Sequence, residues 1–558
     1  MSKSEFNRRR FIRGIGAGML VAPAIVRAAV EADSGATFAH GVASGDPLAD
    51  KLVIWTRVSP ALGAAVPVNW DVAADPGFTR MLRRGRAIAA ATSDHTVKVD
   101  VPGLPADTTV YYRFQAGGQY SPVGRGRTLP VGAVQQVKLI VLSCSNYPAG
   151  YFNVYAEAAK VEGVHAALHL GDYIYEYPRG GYASADAASM GREVDPSNEI
   201  LTLSDYRRRY AQYRTDLDLQ ALHAALPFIC VWDDHEIAND TWKDGAENHD
   251  AATEGSFAAR RAAAIRAYHE WMPIRAPHPT ALDRIYRSFA FGNLVDLHML
   301  DTRLIARDQQ LDYANYIGAS GFDATRFATD MANPSRQMIG AEQMQWLSGR
   351  LASTSATWTL LGQQILMGRM NIPAPLVLGQ ISFTAYSALV YKAQTAPATL
   401  TPQEQAILAQ PAIPYNLDAW DGYAVARETL LGTVRAFDKN LVVLAGDTHN
   451  AWASDLLDLQ GNQVGVEFAT PGVTSPGLEE YFPNENPAAV AAGLTQIIGP
   501  LQYAQTKSRG FLLVTATPQE CRADWRFVST VKSQGYSAFN GTALRTLPGS
   551  GARRIVAA

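Results

Sequence analysis

The chain of 558 residues has little cysteine and no long apolar run. Its three cysteines, Cys144, Cys230 and Cys521, cannot build a disulfide framework, although a single disulfide is compatible with an oxidising compartment. No internal stretch reaches the roughly 18 uninterrupted apolar residues typical of a membrane-spanning helix. Low-complexity tracts and detectable repeats are also missing. These absences exclude a small disulfide-stapled scaffold, a bundle of membrane-spanning helices and a repeat array.

An excess of basic residues is missing as well. Lysine and arginine number 49 against 52 acidic residues, for a formal net charge of −3. This balance gives no reason to expect a nucleic-acid-binding surface, which requires clustered positive charge. The composition, 47% hydrophobic and 18% charged, is that of a globular protein. At this length, two domains are the natural expectation.

The N-terminus does carry local positive charge. Asn7 to Arg13 reads NRRRFIR, and a weakly apolar segment from Gly14 to Val26 follows. An ordinary basic tail is the alternative, but adjacent arginines followed by Phe-Ile and a mild apolar region favour a twin-arginine export signal over residues 1–28. We therefore expect the twin-arginine translocation machinery as a partner during export, and the periplasm or the exterior as the destination.

Residues 37–130 read mainly as short strands separated by turn-forming residues. Candidates are Leu52 to Thr56, Val66 to Val72, Thr96 to Val101 and Thr109 to Phe114, with Asp75-Pro76-Gly77 and Gly117-Gly118 among the turns. Strands at this spacing without helices between them predict a β-sandwich.

Residues 135–530 show a different pattern, in which strands alternate with helices. Apolar runs at 137–142, 166–168, 227–232 and 440–445 predict buried strands, and the segment from Ser204 to about Ala225 predicts a helix. This alternation predicts a layered α/β domain. The long irregular segment from Asn371 to Asp418, with helical pieces such as Pro402 to Ala409, is a candidate lid. Residues 531–558 are expected to form a C-terminal tail.

Four of the predicted strands end in side chains that can bind metal. The endings are Cys144, Asp172 with Tyr175, Asp234 with His235, and Asp447 with His449. A single such ending is more often a helix cap, a core histidine or an inert cysteine. Because ligand sites in α/β sheets lie at the carboxyl ends of strands, four endings in one domain predict a metal cluster.

The donor types indicate two chemistries. Thiolate, phenolate and imidazole from Cys144, Tyr175 and His449 suit a transition metal, with Fe3+ the best candidate. The carboxylates of Asp234 and Asp447, with Asp172 shared, suit a hard divalent ion such as Ca2+, Mn2+ or Mg2+. Two such cations can clamp a phosphoryl oxygen and activate a water. His235 is then a candidate to hydrogen-bond the phosphoryl group or to protonate the leaving oxygen.

The motifs LSCSN, HLGDYIYEY, VWDDHEIAND, LDTR and AGDTHN occur in this order. Together they resemble the alkaline phosphatase D (PhoD) family, whose wider relatives are the calcineurin-like and purple acid phosphatases. The resemblance implies an α/β fold of four layers, a double sheet flanked by helices, preceded by an N-terminal β-sandwich. It also implies an alkaline phosphatase that hydrolyses phosphate monoesters, and diesters too, by attack of a metal-bound hydroxide at a binuclear or larger site.

By the same resemblance, Cys144, Tyr175 and His449 hold iron, Asp234 and Asp447 hold calcium, and Asp172 bridges the ions. The chain departs from the wider group at two positions. Cys144 stands in place of a carboxylate, and Asp447 in place of the first histidine of a Gly-His-x-His motif. Small phosphate esters are the expected substrates. A phospholipase D-type phosphodiesterase acting on phospholipids is the alternative, and a metal-stabilised adhesion protein is a third.

Several further residues are weaker candidates. Gln363, Gln364 and His298 are possible replacements for a mid-domain histidine ligand that has no clear counterpart. Asn239 and Asp240 are compatible either with a further calcium ion or with loop capping. Asp301 and Arg303 are expected to form a structural ion pair, with an arginine phosphate clamp as the minority interpretation.

Overall fold

The structure is a computed structural model that describes residues 36–59, 65–276, 281–319 and 321–558. The expected export signal at 1–28 lies outside these ranges. Within them, no helix is both long and apolar enough to cross a membrane. All three cysteines lie in the described ranges, and each is buried and unpaired.

The strands of the described ranges are numbered in chain order. They are β1 Val42–Gly45, β2 Lys51–Arg57, β3 Val66–Ala73, β4 Met81–Ala89, β5 Thr96–Pro102, β6 Thr109–Ala116, β7 Gln119–Tyr120, β8 Gly124–Arg127, β9 Val137–Leu142, β10 Ala166–His169, β11 Pro227–Cys230, β12 Arg287–Phe291, β13 Val295–Met299, β14 Ile317–Gly318, β15 Gly321–Phe322, β16 Trp358–Gly362, β17 Asn371–Pro373, β18 Ala412–Pro414, β19 Leu441–Ala445, β20 Ala451–Leu457, β21 Gln463–Ala469, β22 Leu501–Gln505, β23 Gly510–Ala516, β24 Cys521–Val528, β25 Ala538–Thr546 and β26 Val556–Ala557.

The helices connect and cover these strands. They span Asn153–Ala159, Ala187–Met190, Leu203–Tyr213, Leu217–Ala225, Ala251–Glu254, Phe257–Trp271, Ala324–Met331, Gly340–Ser353, Ala374–Val377, Phe383–Thr395, Pro402–Leu408, Ala424–Ala436, Leu478–Tyr481 and Pro487–Ile497.

Two large sheets form the centre of the molecule. One has ten strands in the order β26-β25-β24-β23-β9-β10-β11-β1-β2-β5, and the other has seven in the order β12-β13-β16-β19-β21-β20-β22. The strands β9, β10 and β11 are mutually parallel neighbours, as are β13, β16, β19 and β21. Parallel neighbours bring their carboxyl ends to one edge of a sheet, so each sheet collects its strand endings there.

The two sheets pack face to face, because their strands are apolar on both faces. In the seven-stranded sheet, Leu360, Val442 and Leu444 join the core that is shared with the ten-stranded sheet. Their neighbours Leu361 and Val443 point to the other face, which the helices Gly340–Ser353 and Ala424–Ala436 cover. This alternation with a period of two produces the layered arrangement, with helices outside the sheets. The predicted fold class is confirmed.

The N-terminal β-rich region shares a sheet with the rest of the chain. Its second sheet has the order β4-β3-β6-β7, with β8 paired to β6. The facing strands β1, β2 and β5 belong to the ten-stranded sheet, since β1 pairs in parallel with β11. A separate apolar core lies between the two layers and includes Val68, Tyr112 and Ile54.

Three local expectations differ from the structure. The helix expected from Ser204 to Ala225 is divided into two, because Thr202 caps the first and Asp216 caps the second. The residues 531–558 are not a simple tail, since β25 and β26 extend the ten-stranded sheet. The segment from Asn371 to Asp418 has its expected helical piece at Pro402–Leu408, but it is less irregular than expected, because β17 and β18 form a two-stranded sheet and further helices are present.

Candidate metal centre

The side chains singled out at the strand ends occupy an unusual backbone conformation. Cys144, Asp172, Asp447 and His449 all have positive φ, between 55° and 64°. A left-handed backbone is unfavourable for residues with a Cβ, and such strain concentrates at functional sites. The turn after each strand therefore directs the side chain toward the space between the carboxyl edges of the two sheets.

Three overlapping groups of ligand atoms result from this arrangement. Each group has all its ligand atoms within 4.8 Å of one another, and the groups are Cys144 with Asp172 and His449, Asp172 with Asp234 and His235, and Asp233 with Asp234 and Asp447. Asp172 belongs to two groups, and so does Asp234. We call Cys144, Tyr175 and His449 the thiol half of the cluster, and Asp233, Asp234 and Asp447 the carboxylate half.

Tyr175 lies in the thiol half, although it is three residues after Asp172, the aspartate at the end of the strand. Its hydroxyl donates to Asp172 Oδ2 at 3.0 Å and lies 3.4 Å from His449 Nε2. Ser475 Oγ donates to the same phenol oxygen at 2.6 Å. The phenol oxygen therefore faces the same point as the thiol, the shared carboxylate and the imidazole.

Hydrogen bonding determines which nitrogen of His449 is available to a ligand. Its Nδ1 lies 2.7 Å from the carbonyl oxygen of Pro476, which can only accept a hydrogen bond. The proton is therefore on Nδ1, and the Nε2 lone pair faces Tyr175 and the cluster. Burial lowers the pKa of His449 to about 3, so the ring is neutral, as metal binding by histidine requires.

Glu236 fixes the backbone around Asp172 and Asp233. Its carboxylate accepts the N–H groups of Asp172 at 3.0 Å, Tyr173 at 2.5 Å and Asp233 at 2.6 Å. Gly171 makes this close approach of two turns possible, because a Cβ at that position would lie 2.3 Å from the Cβ of Asp233. The endings of β10 and β11 are thus held together independently of any bound ion.

His235 is oriented by Glu176. Its Nδ1 lies 2.7 Å from Glu176 Oε2, and its ring stacks on Tyr175 with centroids 4.1 Å apart. The other oxygen of Glu176 accepts from the backbone of Asn239 at 2.8 Å. Burial alone lowers the pKa of His235, but the charges of Asp234 and Glu176 outweigh burial and raise it. His235 therefore presents Nε2 to the cluster from a fixed ring position.

Arg303 lies at the centre of the carboxylate half, where sequence reasoning did not place it. Its guanidinium donates to Asp447 Oδ1 at 3.1 Å and to Asp418 at 2.7 Å, and Nε donates to Asp233. The expected ion pair with Asp301 is wrong, because the described residues show no ion pair between the two side chains, and the Asp301 carboxylate accepts the backbone N–H groups of Arg303 and Leu304, each at 2.9 Å.

The cluster contains more buried carboxyl groups than its arginines could balance if all of them were ionised. Burial raises the pKa of Asp172 and of Asp233, and it raises that of Asp447 to about 7. For Asp234, Arg303 and His235 outweigh burial and lower the pKa. Asp172 Oδ1 and Asp233 Oδ2 are buried without a hydrogen-bond partner among the described residues. Buried carboxylate oxygens without partners are costly unless a cation binds them.

The donor sets fit metal ions. A thiol, a phenol and a neutral imidazole converge on one side of Asp172, and carboxylates converge on the other. Burial raises the pKa of Cys144 and of Tyr175, so both are neutral without a cation and need one to become anionic ligands. Metal binding is therefore a property that the residues themselves support.

Three of the weaker candidates, Gln363, Gln364 and His298, are hydrogen-bonded to residues outside the three ligand groups. Gln364 is occupied in joining strand ends, since it accepts from Thr302 Oγ1 at 2.7 Å and donates to the Trp232 carbonyl at 2.7 Å. Gln363 accepts from Trp420 Nε1 at 3.0 Å, and His298 Nδ1 lies 2.7 Å from Ser288 Oγ. These three residues are structural.

The side chains of Asn239 and Asp240 lie in different surroundings. The side chain of Asn239 donates to Glu247 at 2.8 Å and points away from the cluster. The backbone N–H of Asp240 donates to Asp234 Oδ2 at 2.6 Å, and its own carboxylate accepts from Gln310 at 2.9 Å. Asp240 therefore borders the carboxylate half, and Asn239 does not.

Comparisons with known proteins identify the family to which the chain belongs. A family model described as PhoD-like phosphatase matches residues 139–525, and one described as PhoD-like phosphatase, N-terminal domain, matches residues 24–130. The chain is 35% identical over 559 residues to alkaline phosphatase D of Bacillus subtilis (strain 168), covering 95% of this chain and 86% of that protein. A solved structure titled "Structure of PhoD" superposes with a TM-score of 0.75 at 33% identity, covering 93% of this chain and 92% of that one. The chain therefore belongs to the PhoD-like phosphatase family and is a phosphoric ester hydrolase.

Proposed function

We propose that this hydrolase is an exported alkaline phosphatase whose catalytic centre holds unlike metal ions on the two sides of Asp172. The observation that supports it is the membership of Asp172 in two ligand groups, one with Cys144 and His449 and the other with Asp234 and His235. A carboxylate with two oxygens and two sets of neighbours is suited to bridge a pair of ions.

The thiol half would hold Fe3+, and the carboxylate half would hold Ca2+ or another hard divalent ion such as Mn2+ or Mg2+. Sulfur, phenolate oxygen and imidazole together suit a strongly acidic transition metal, and carboxylates suit the hard divalent ions. When bound, such ions supply Lewis acidity toward a phosphoryl oxygen and lower the pKa of a water molecule.

The residues of the chain contribute position and proton transfer. Glu176 holds the Nδ1–H of His235, which leaves Nε2 to hydrogen-bond the phosphoryl group or to deliver a proton to the leaving oxygen. Glu236 holds the two turns that carry Asp172 and Asp233. Arg303 balances charge among the carboxylates and donates to Asp447.

Phosphate esters are the substrates, and monoesters are the proposed preferred class, with diesters as additional substrates. The comparisons do not favour the phospholipase D alternative, since both the family and the curated relative are phosphatases. The adhesion alternative does not require His235 to be oriented toward the cluster. Export to the periplasm or beyond, through the twin-arginine route, is proposed from the arginine-rich segment at residues 7–13.

The test measures metal content and hydrolysis on one preparation of protein exported in the folded state. We expect iron and a divalent ion in the purified protein, a purple or pink colour from the Tyr175 phenolate, and activity on an aryl phosphate. Asp172→Ala is expected to lose activity and both ions, and Asp296→Ala, on a partly exposed strand position, serves as the control. Full activity in Asp172→Ala, or a colourless protein loaded only with zinc, would contradict the proposal.

A further inference from the structure

Among the cluster residues, Asp447 and His449 are partly exposed. The side chain of Asp447 is 17% exposed, whereas those of Asp233 and Asp234 are 1% and 4% exposed. A substrate can therefore reach the cluster beside these two residues, Asp447 and His449, and side chains next to this edge lie near the group attached to the phosphoryl centre. Tyrosines lie there.

Tyr177 and Tyr182, from the loop after β10, form the first part of this surface. Their ring centroids are 5.8 Å apart, and the Tyr177 ring lies 5.4 Å from that of His235. The Tyr182 hydroxyl lies 3.2 Å from His449 Nδ1, and its ring stacks 6.2 Å from Tyr175. Both rings are partly exposed, so their free faces border the cluster on the side of the two histidines.

Tyr481, from the short helix after β21, continues the surface. The residue is 67% exposed, and its ring pairs with no other ring among the described residues. The chain just before its helix contacts the cluster, since the carbonyl oxygen of Pro476 lies 2.7 Å from His449 Nδ1 and accepts from the Tyr182 hydroxyl at 3.5 Å. Tyr481 ends the short helix Leu478–Tyr481, which begins two residues after this contact.

We propose that Tyr177, Tyr182 and Tyr481 form a leaving-group subsite that binds flat aromatic groups esterified to phosphate. Aromatic rings attract other rings in stacked and edge-on contacts beyond the effect of buried area, and several rings from two loops can hold one planar group. This inference rests on the proposed function, because the subsite has a role only if phosphoryl transfer takes place at the adjacent cluster.

The alternative is that these rings only hold His235 and His449 in place. Tyr481 separates the two interpretations, since it contacts neither histidine ring among the described aromatic pairs, whereas Tyr177 contacts His235. A positioning role would slow every substrate alike. A subsite would act only on esters that carry an aromatic group.

The experiment uses the full metal-loaded protein and compares benzyl phosphate with propyl phosphate. Both release a primary alcohol, and only one of them is aromatic. Each substrate is compared with itself across variants, so intrinsic reactivity cancels. We expect Tyr481→Ala to raise KM for benzyl phosphate about three- to tenfold, the range of one aromatic contact, and to change KM for propyl phosphate less than about twofold. Tyr481→Phe should keep the preference, because it keeps the ring.

Tyr391→Ala is the matched control, since Tyr391 is 68% exposed on the helix Phe383–Thr395. It should leave both substrates unchanged. Equal effects of Tyr481→Ala on the two substrates, or no effect on either, would overturn the subsite. Failure of the proposed function gives a different result, namely wild-type hydrolysis that survives removal of metal or the Asp172→Ala substitution.

Discussion

The thiol half and the carboxylate half of the cluster balance their charge differently. Without a cation, the thiol half is neutral, because burial raises the pKa of Cys144 and Tyr175 and lowers that of His449 to about 3. The carboxylate half is anionic in part even without a cation, because Arg303 is fixed among its oxygens. One half therefore becomes charged only when a strong Lewis acid binds, whereas the other attracts any hard divalent ion.

This difference predicts unequal selectivity. Deprotonating a buried thiol and a buried phenol costs free energy that only a strongly acidic metal offsets. Oxygen ligands of a flexible, carboxylate-rich site discriminate less among calcium, manganese and magnesium. We therefore expect tight retention of one ion and exchange of the other.

The largest effect should come from substitutions that remove one ligand from each half. We expect Cys144→Ser and Asp447→Asn each to lower kcat/KM about a thousandfold, because each removes Lewis acidity worth several kcal/mol. Elemental analysis should then show loss of the transition metal in the first and of the divalent ion in the second. Loss of both ions in both variants would show that the halves do not bind independently.

A second substitution tests the role of Arg303. Arg303→Met leaves Asp233, Asp234 and Asp447 without their arginine and Asp418 with Arg307 alone. We expect the free energy of unfolding to fall by about 3–5 kcal/mol in metal-free protein, measured by urea titration. A divalent ion should restore much of this loss.

The control is Arg307→Met, because Arg307 contacts only Asp418 in this group and Asp418 keeps its bond to Arg303. A loss that calcium does not restore would assign Arg303 a packing role instead.

A smaller effect is expected from substitution of Glu176, the residue that orients His235. Glu176→Gln keeps the shape of the side chain but weakens the bond that orients the ring, and it cannot accept both the His235 and the Asn239 protons in the same way. We expect kcat to fall about 10- to 100-fold with little change in KM, the usual range for a residue behind a metal-site group. Steady-state kinetics on one aryl phosphate measures it. A change confined to KM would contradict an orienting role.

The thiol half could be predicted from sequence more fully than the carboxylate half. Cys144, Asp172 and His449 each follow a recognisable buried strand, and parallel strands place their endings together. Arg303 also follows a strand, but its partner was expected at Asp301, two residues away. The structure turns Asp301 back to its own backbone and sends the guanidinium across to the other sheet.

Other parts of the site depend on contacts that no local pattern indicates. Asp418 comes from the end of a long segment of helices and short strands, and Glu176 and Glu236 act through backbone N–H groups of distant residues. Asp233 and Asp234 are adjacent in the sequence, so the backbone conformation of the turn determines the direction of each side chain. The strand endings can be predicted because they follow from the hydrophobic pattern of the sequence, whereas these contacts depend on how the two sheets pack.

The smallest effect concerns the pH dependence of stability on the carboxylate side. In metal-free protein, burial raises the pKa of Asp447 to about 7 and that of Glu236 to about 8. A carboxyl group whose pKa is higher in the folded state than in the unfolded state is neutral in both states at low pH. It destabilises the folded state as pH rises through the folded pKa. Metal-free protein should therefore lose stability between pH 5 and pH 8, whereas bound cations favour the ionised form and remove the penalty.

As pH rises from 6 to 8, the difference in unfolding free energy between metal-loaded and chelated protein should accordingly increase by an amount on the order of 1–2 kcal/mol. The difference in Tm between the two samples should increase with it. Asp447→Asn should reduce this increase, because an amide does not titrate. Calorimetry of matched loaded and chelated samples measures the difference. If the Tm difference instead decreased as pH rises, the charge of the carboxylate half would already be balanced without a cation. The two halves would then differ only in ligand type.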